Sequence, residues 1–408
     1  MFNYLFSKKS PSYDRENFDL FLKKVSFSYK VPSIHVTGSN GKGQTCSYIS
    51  SIYKEAGYKV GLFTSPYCFL PMETIQINEE PIPEDVFLSY LTKYKSLFDK
   101  YNLTEFEIIT FIALTYFNDE KCDIAVIECG MGGEIDATNI FNPILSIITS
   151  ISLEHTSVLG RTLSEIAEHK AGIIKQDMPV LIDEFNEEIM NVIAERTYET
   201  DSKIITLGKY HNITLTNDGY RFDYDIYEDL FIKRKSLASV KDATFAIEAI
   251  SILKNTFNVT DENIKSGLYY NIIHGRLETF ENYPNIYVDG AHNPEAIFCL
   301  VKDMENIIGS KNIHILFACF KDKNINSMLP NLAILTDDIT LTEFENERCR
   351  KEEDYFLYLD EYKFNSDYKS YIQNFIKENP DDILLITGSL AFATLVSSLI
   401  RNGEFKNE

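Results

Sequence analysis

Short apolar runs alternate along the chain with stretches whose apolar residues recur at helical spacing. Residues 31–37 form one such run and end in a glycine-rich turn. A helical pattern follows over 45–56 and stops at Gly57, and residues 59–63 form a second run. Strand, loop, helix, strand is a βαβ unit. Residues 123–128 and 144–150 predict a third and a fourth strand, with helices such as 105–117 among the runs. Runs that are apolar at nearly every position suit parallel strands covered on both faces. The pattern predicts an α/β fold: a central domain with a mostly parallel, doubly wound sheet.

A second alternation begins after Gly275. It predicts strands at 286–288, 313–318 and 383–387 and helices at 295–308 and 390–400. This describes a smaller C-terminal α/β domain. The join is expected at 271–277, giving domains of 1–274 and 275–408. Short alternating segments between 203 and 235, including 220–226, predict a small antiparallel excursion.

Length agrees with two domains, since 408 residues exceed the roughly 100–200 of a single compact core. The formal net charge of -22 argues against a nucleic-acid or anionic-membrane binder. The seven cysteines, Cys46, Cys68, Cys122, Cys129, Cys299, Cys319 and Cys349, include no CxxC pair. Reduced thiols in a cytoplasm are the simple expectation. The first residues lack the long apolar segment of a signal peptide, and no run of about 20 apolar residues predicts a membrane span.

Candidate chemistry gathers at the predicted strand ends. Gly38-Ser39-Asn40-Gly41-Lys42-Gly43-Gln44-Thr45 follows the first strand and opens a helix. Glycines let several backbone N–H groups face one anion, and a helix N-terminus adds its positive end. Lys42 would reach the β- and γ-phosphates. The strict Walker pattern is not met: Val36 stands at the first glycine position, and Gly43 replaces the hydroxyl residue after the lysine. Such a loop by itself can be only a tight turn; its place between strand and helix favours phosphate. Glu128 closes the third strand, His155 follows the fourth, and Ser65 follows the second. Ligands collect beyond the carboxyl ends of such strands. Singly, these residues read as a cap, a loop histidine and a turn. Together, beside a phosphate loop, they read as a magnesium site. Lys170 lies on a helix beginning near Thr162, where a lone lysine is ordinarily a solvated charge.

These segments, taken in order, resemble the folylpolyglutamate synthase/dihydrofolate synthase family within the Mur ligases. The resemblance rests on residues 35–43, 63–66, 127–133, 136–139, 154–156, 159–160, 170–175, 275–278, 289–294, 317–323 and 387–390. It implies an ATPase domain, a C-terminal ligase domain and an ATP-dependent ligase that joins L-glutamate to folate or dihydropteroate through an acyl phosphate. By that resemblance Ser65, Glu128 and His155 match magnesium positions, and Lys170 matches a lysine that becomes carbamylated and could help hold a second ion. Arg276 and Asp289 match nucleotide-contacting residues. His292, Asn293 and Ser389 fall in segments of the C-terminal share of the active site, with glutamate binding expected there. A monomer is the family-level expectation.

The sequence departs from the family pattern at several places. Gln44 stands at a small hydroxyl position, and Glu134 at an arginine. Thr74 also stands at an arginine position, and Tyr67 at a frequent histidine. Near 238–243 the usual His-Gln pair is missing, and Asp242 replaces an asparagine. These changes touch pterin-side loops and the adenine contact, so reaction type is more firmly implied than substrate. Three rival readings are a Mur-type ligase for another carboxylate, a paralogue that binds without turnover, and a plain P-loop ATPase. Residues 289–294 argue against the last.

Overall fold

The computed structural model describes residues 1–8, 14–67, 70–216, 218–233, 236–271 and 275–405. The chain divides into two compact units. The first comprises Met1–Thr214, Arg221–Lys233 and Ser239–Asn271; the second comprises Leu215–Tyr220, Arg234–Ala238 and Ile272–Glu408. The join read from sequence, 271–277, includes residues 272–274, which lie outside the described residues.

The first unit is built on β1 (Ser33–Thr37), β2 (Val60–Phe63), β3 (Ile75–Ile77), β4 (Glu80–Pro81), β5 (Ile124–Glu128), β6 (Leu145–Ile148), β7 (Val180–Ile182) and β8 (Ile204–Thr206). They form one sheet in the order β4-β3-β2-β5-β1-β6-β7-β8. From β2 to β8 every pairing is parallel; β3 and β4 add an antiparallel edge. Strands β1, β2, β5 and β6 are buried at every position. This is why they read as unbroken apolar runs. Helices α1 (Phe2–Phe6), α2 (Glu16–Lys24), α3 (Lys42–Glu55), α4 (Glu84–Lys100), α5 (Glu105–Asp119), α6 (Leu163–Ala171), α7 (Glu187–Glu199), α8 (Leu237–Leu253) and α9 (Asp261–Tyr270) accompany it. Phenylalanine supplies much of the bulk in a chain without tryptophan. Phe111 meets Phe21 edge-on at 4.8 Å and Phe98 at 5.9 Å, the arrangement that ring quadrupoles favour.

Two local signals fix the helices that later matter. Thr104 and Glu107 form a capping box at the start of α5, and Thr162 and Glu165 do so at α6. Each satisfies backbone N–H groups that a helix end leaves unpaired.

The antiparallel excursion is real but smaller than its sequence range. Strands β9 (Tyr210–Leu215), β10 (Tyr220–Tyr224) and β11 (Tyr227–Ile232) make a three-stranded sheet. Residues 204–206 do not join it. They form β8, the parallel edge of the large sheet, because they pair with β7.

The second unit carries β12 (Glu278–Phe280), β13 (Tyr283–Val288), β14 (Ile313–Phe317), β15 (Ile339–Thr342), β16 (Lys363–Asn365) and β17 (Ile383–Thr387), in the order β12-β13-β17-β14-β15-β16. All pairings are parallel except β12 with β13. Alternate residues feed two cores. Ile313, Ile315 and Phe317 enter one, and Leu316 enters the other; Ile383 and Leu385 oppose Leu384 and Ile386. A strand's period of two produces this split. Helices α10 (Pro294–Ile308), α11 (Ile325–Leu332), α12 (Tyr368–Glu378) and α13 (Leu390–Arg401) complete the unit.

Candidate active site

Strands β2, β5, β1 and β6 are consecutive neighbours and run parallel. Their carboxyl ends therefore bring four segments to one edge: Ser65 after β2, Glu128 ending β5, the glycine loop after β1, and His155 after β6.

The loop turns directly into α3, whose first residue is Lys42 and whose N-cap is Gly41 at φ 85°. That left-handed conformation favours glycine. Space is also short there, since a Cβ on Gly41 would lie 2.3 Å from Asp242 Oδ1. The loop is held from the β6 side. Ser150 Oγ accepts from the Asn40 amide at 2.7 Å, Thr149 Oγ1 donates to Asn40 O at 2.6 Å, and the Ser152 amide donates to Ser39 Oγ at 2.9 Å. Lys42 Nζ folds back to donate to Gly38 O at 2.7 Å and Ser39 O at 3.4 Å. The Thr45 hydroxyl is buried without a hydrogen-bond partner.

Glu128 lies under the first turn of α3, so that a Cβ on Gly43 would stand 3.2 Å from Glu128 Oε2. The same oxygen accepts from the Ser65 amide at 3.0 Å. Glycine at 43, in place of a hydroxyl residue, thus gives the carboxylate its room. Beyond Glu128 the chain is fixed by Asp136, which accepts from the amides of Met131 and Thr138 and from the Thr138 hydroxyl. Asn139 donates to Glu134 O and Gly172 O, tying this loop to the end of α6.

Lys170 on α6 is not a solvated charge. It is 1% exposed, and its Nζ donates to Glu154 Oε1 at 2.7 Å. Burial pulls its amine below the usual lysine range and Lys42 adds to this, while Glu154 opposes it. Burial alone would raise the Glu154 carboxyl, but Lys170, Lys42 and His155 together hold it down at about 2. His155 itself is exposed, at φ 45°.

In the second unit Asp289 is buried, and it accepts from the amides of Leu277 at 2.7 Å and Ala291 at 2.8 Å. Burial raises its carboxyl, against the pull of Arg276. Its role is therefore to join the turn bearing Arg276 to the turn leading into His292. His292 Nδ1 lies 2.9 Å from Gly290 O. Asn293 caps α10 through its side-chain oxygen, which accepts from the Ala296 amide at 2.8 Å. Ser389 is the N-cap of α13 but makes no capping bond. Its hydroxyl and that of Thr387 are both buried without a partner.

Sequence reading missed Glu154, Thr149, Ser150 and Ser239. Glu154 had a signal, since it adjoins His155; the others are ordinary hydroxyl residues. Among the departures, Thr74 spends its hydroxyl on Pro71 O, Tyr67 donates to Glu105, and the Glu134 side chain is largely exposed. The six described cysteines are free thiols, and Cys68 lies outside the described residues. Among the described residues no helix is long and apolar enough to cross a membrane.

The loop suits a nucleoside triphosphate, because it presents a helix N-terminus, a lysine and a buried hydroxyl lacking a partner. Among the described residues no three His, Cys, Asp or Glu side chains gather to hold a metal. A site of hydroxyl, carboxylate and imidazole, completed by phosphate oxygens, still fits magnesium, which rarely uses an all-protein cage.

Residues 36–253 match the Mur ligase middle domain, and residues 275–390 match the Mur ligase glutamate ligase domain. A dihydrofolate synthase/folylpolyglutamate synthase of Bacillus subtilis is 33% identical over 383 residues, 89% of each chain. A folylpolyglutamate synthase of Lacticaseibacillus casei is 30% identical over 387 residues, covering 91% of this chain and 90% of its own. The apo form of the L. casei enzyme superposes with a TM-score of 0.86 at 27% identity over 98% of both chains. A folylpolyglutamate synthase complex with AMPPCP and folate gives 0.85 at 27% identity, also over 98% of both. The chain belongs to the folylpolyglutamate synthase/dihydrofolate synthase family of Mur ligases.

Proposed function

We propose that this protein uses ATP to join L-glutamate to a folate carboxylate, with dihydropteroate as a second acceptor, through an acyl phosphate. The carrying observation is the phosphate loop opening α3 with Glu128 against Gly43, in a chain similar over most of its length to folate ligases. A relative's complex with AMPPCP and folate supports ATP and folate as ligands here.

A carboxylate is a poor electrophile, because its leaving group would be oxide. Transfer of the γ-phosphoryl gives it phosphate as leaving group instead. Lys42 exchanges its contacts to Gly38 O and Ser39 O for phosphate oxygens, and the open N–H groups of the first turn of α3 bind the rest of the chain of phosphates. Ser65, Glu128 and His155 would hold magnesium, which supplies charge neutralisation at the transferred oxygens. The amine of glutamate then attacks the acyl carbon, phosphate leaves, and the amide forms. Exclusion of water protects the acyl phosphate from hydrolysis.

Lys170 is read as the carbamylated lysine. Its buried amine, with lowered proton affinity, would attack the carbon of CO2 and lose a proton from nitrogen. The resulting carbamate beside Glu154 would place two anions in one buried space, which a second magnesium would neutralise. In the C-terminal domain, taken as 275–408 against 1–274, Arg276 and Asp289 are assigned to nucleotide, with Asp289 holding the turn that carries Arg276. His292, Asn293 and Ser389 are assigned to the glutamate side. The unpartnered hydroxyls of Thr387 and Ser389 at the start of α13 suit a carboxylate. The expected state is a cytoplasmic monomer.

Phosphate release from ATP tests the function, measured with folate acceptors and glutamate added singly and together. Release that requires both is the ligase result. Release without acceptor is that of a plain ATPase, and nucleotide binding without release with any pteroyl acceptor contradicts the folate reading.

A further inference from the structure

Gln44 stands two residues after the loop lysine, in the first turn of α3, yet its side chain turns inward and is 6% exposed. Its Nε2 donates to Ser239 Oγ at 2.7 Å and to Tyr48 OH at 3.3 Å. Ser239 is 1% exposed and lies in the first turns of α8, 195 residues away in sequence. Water cannot replace a lost partner cheaply at such a site. One turn further along α8, Asp242 lies against Gly41. Helix α8 therefore meets the phosphate loop at two points, one on each side of Lys42.

The long amide comes from α3 and the short hydroxyl from α8, and together they fill one buried slot between the two helices.

We propose that Gln44 and Ser239 are a matched pair of positioning residues that brace the phosphate loop on α8. The pair is tolerant of exchange but not of change at one end. Gln44→Ser leaves a gap and an unpaired Ser239 hydroxyl. Ser239→Gln puts two long amides into one slot, and overpacking distorts neighbours. Exchanging both identities restores the summed volume and a donor–acceptor couple. Neither side chain touches substrate; the effect passes through the backbone of residues 41–44.

The proposal rests on the reading of residues 38–45 as the nucleotide loop, so Lys42→Ala is the control for that reading. The measurement is calorimetric binding of a non-hydrolysable ATP analogue, with KM for ATP and for glutamate alongside. Gln44→Ser and Ser239→Gln should each weaken analogue binding about tenfold, the size of one lost buried hydrogen bond. The double exchange should return to within about threefold of wild type, a coupling of the kind expected for contacting residues. Gln44→Met keeps length and apolar contact but cannot donate. It should raise KM for ATP and leave KM for glutamate unchanged, while a cooperative unfolding transition shows that the variant is folded. It therefore decides the matter even where a single exchange variant fails to fold. Wild-type binding in Gln44→Met, or a double exchange no better than its worse parent, overturns the proposal. If Lys42→Ala binds the analogue normally, the nucleotide reading of the loop fails instead.

Discussion

Replacing Glu154 by Gln should expose how the buried lysine is tolerated. The change keeps the shape but removes the charge that lies 2.7 Å from Lys170 Nζ. Lysine 170, 1% exposed, then either stays charged without its carboxylate or gives up its proton. The first route costs about 3–5 kcal/mol, as for other broken buried pairs. The second is capped by the unfolded lysine value of 10.5. At about pH 8 the gap is roughly 2.5 units, or about 3.4 kcal/mol at 1.36 kcal/mol per unit. The folded-state value of the amine is depressed, so the unfolded chain binds more protons and stability rises with pH. The loss should therefore shrink to about 1.4 kcal/mol near pH 9.5. Urea unfolding of both proteins in bicarbonate-free buffer at the two pH values measures it. A loss that is the same at both, or smaller than about 0.5 kcal/mol at pH 8, refutes the charged-pair account.

Three further outcomes are expected. Asp303→Asn should stabilise the protein above pH 6 by up to about 3 kcal/mol. Burial raises this carboxyl to about 6, so stability falls as pH rises from 3.8 through 6; a stability–pH profile identical to wild type would remove that carboxyl from the account. Lys42→Ala should lose turnover with an unchanged unfolding transition, whereas normal turnover would defeat its assignment to phosphate. Thr387→Val together with Ser389→Ala should raise KM for glutamate at least about tenfold and leave KM for ATP unchanged; the opposite split would move these hydroxyls to the nucleotide.

The strand ends were legible because parallel strands buried on both faces leave unbroken apolar runs. Residues 383–387 were read with the observed bounds of β17. Shorter strands escaped: β3, β7, β8 and β16 have three residues each, too few for any period to show. Helix α3 begins at Lys42 rather than at residue 45. Its first turn contains glycine and polar residues, and packing against Glu128 and Ser239 stabilises it where propensity does not. Lys170 sits in a helical pattern like any surface lysine. Its burial depends on Glu154, 16 residues earlier, which periodicity does not report. The Gln44–Ser239 contact spans most of the first unit, so periodicity does not report it either.

The central claim is an acyl phosphate, and oxygen transfer tests it most directly. A folate acceptor labelled with 18O in its reacting carboxylate is incubated with ATP, glutamate and the enzyme, and the released phosphate is analysed by mass spectrometry. Activation by phosphoryl transfer predicts one labelled oxygen in each phosphate, because amide formation cleaves the acyl carbon–oxygen bond. Amide product accompanied by unlabelled phosphate would contradict the mechanism.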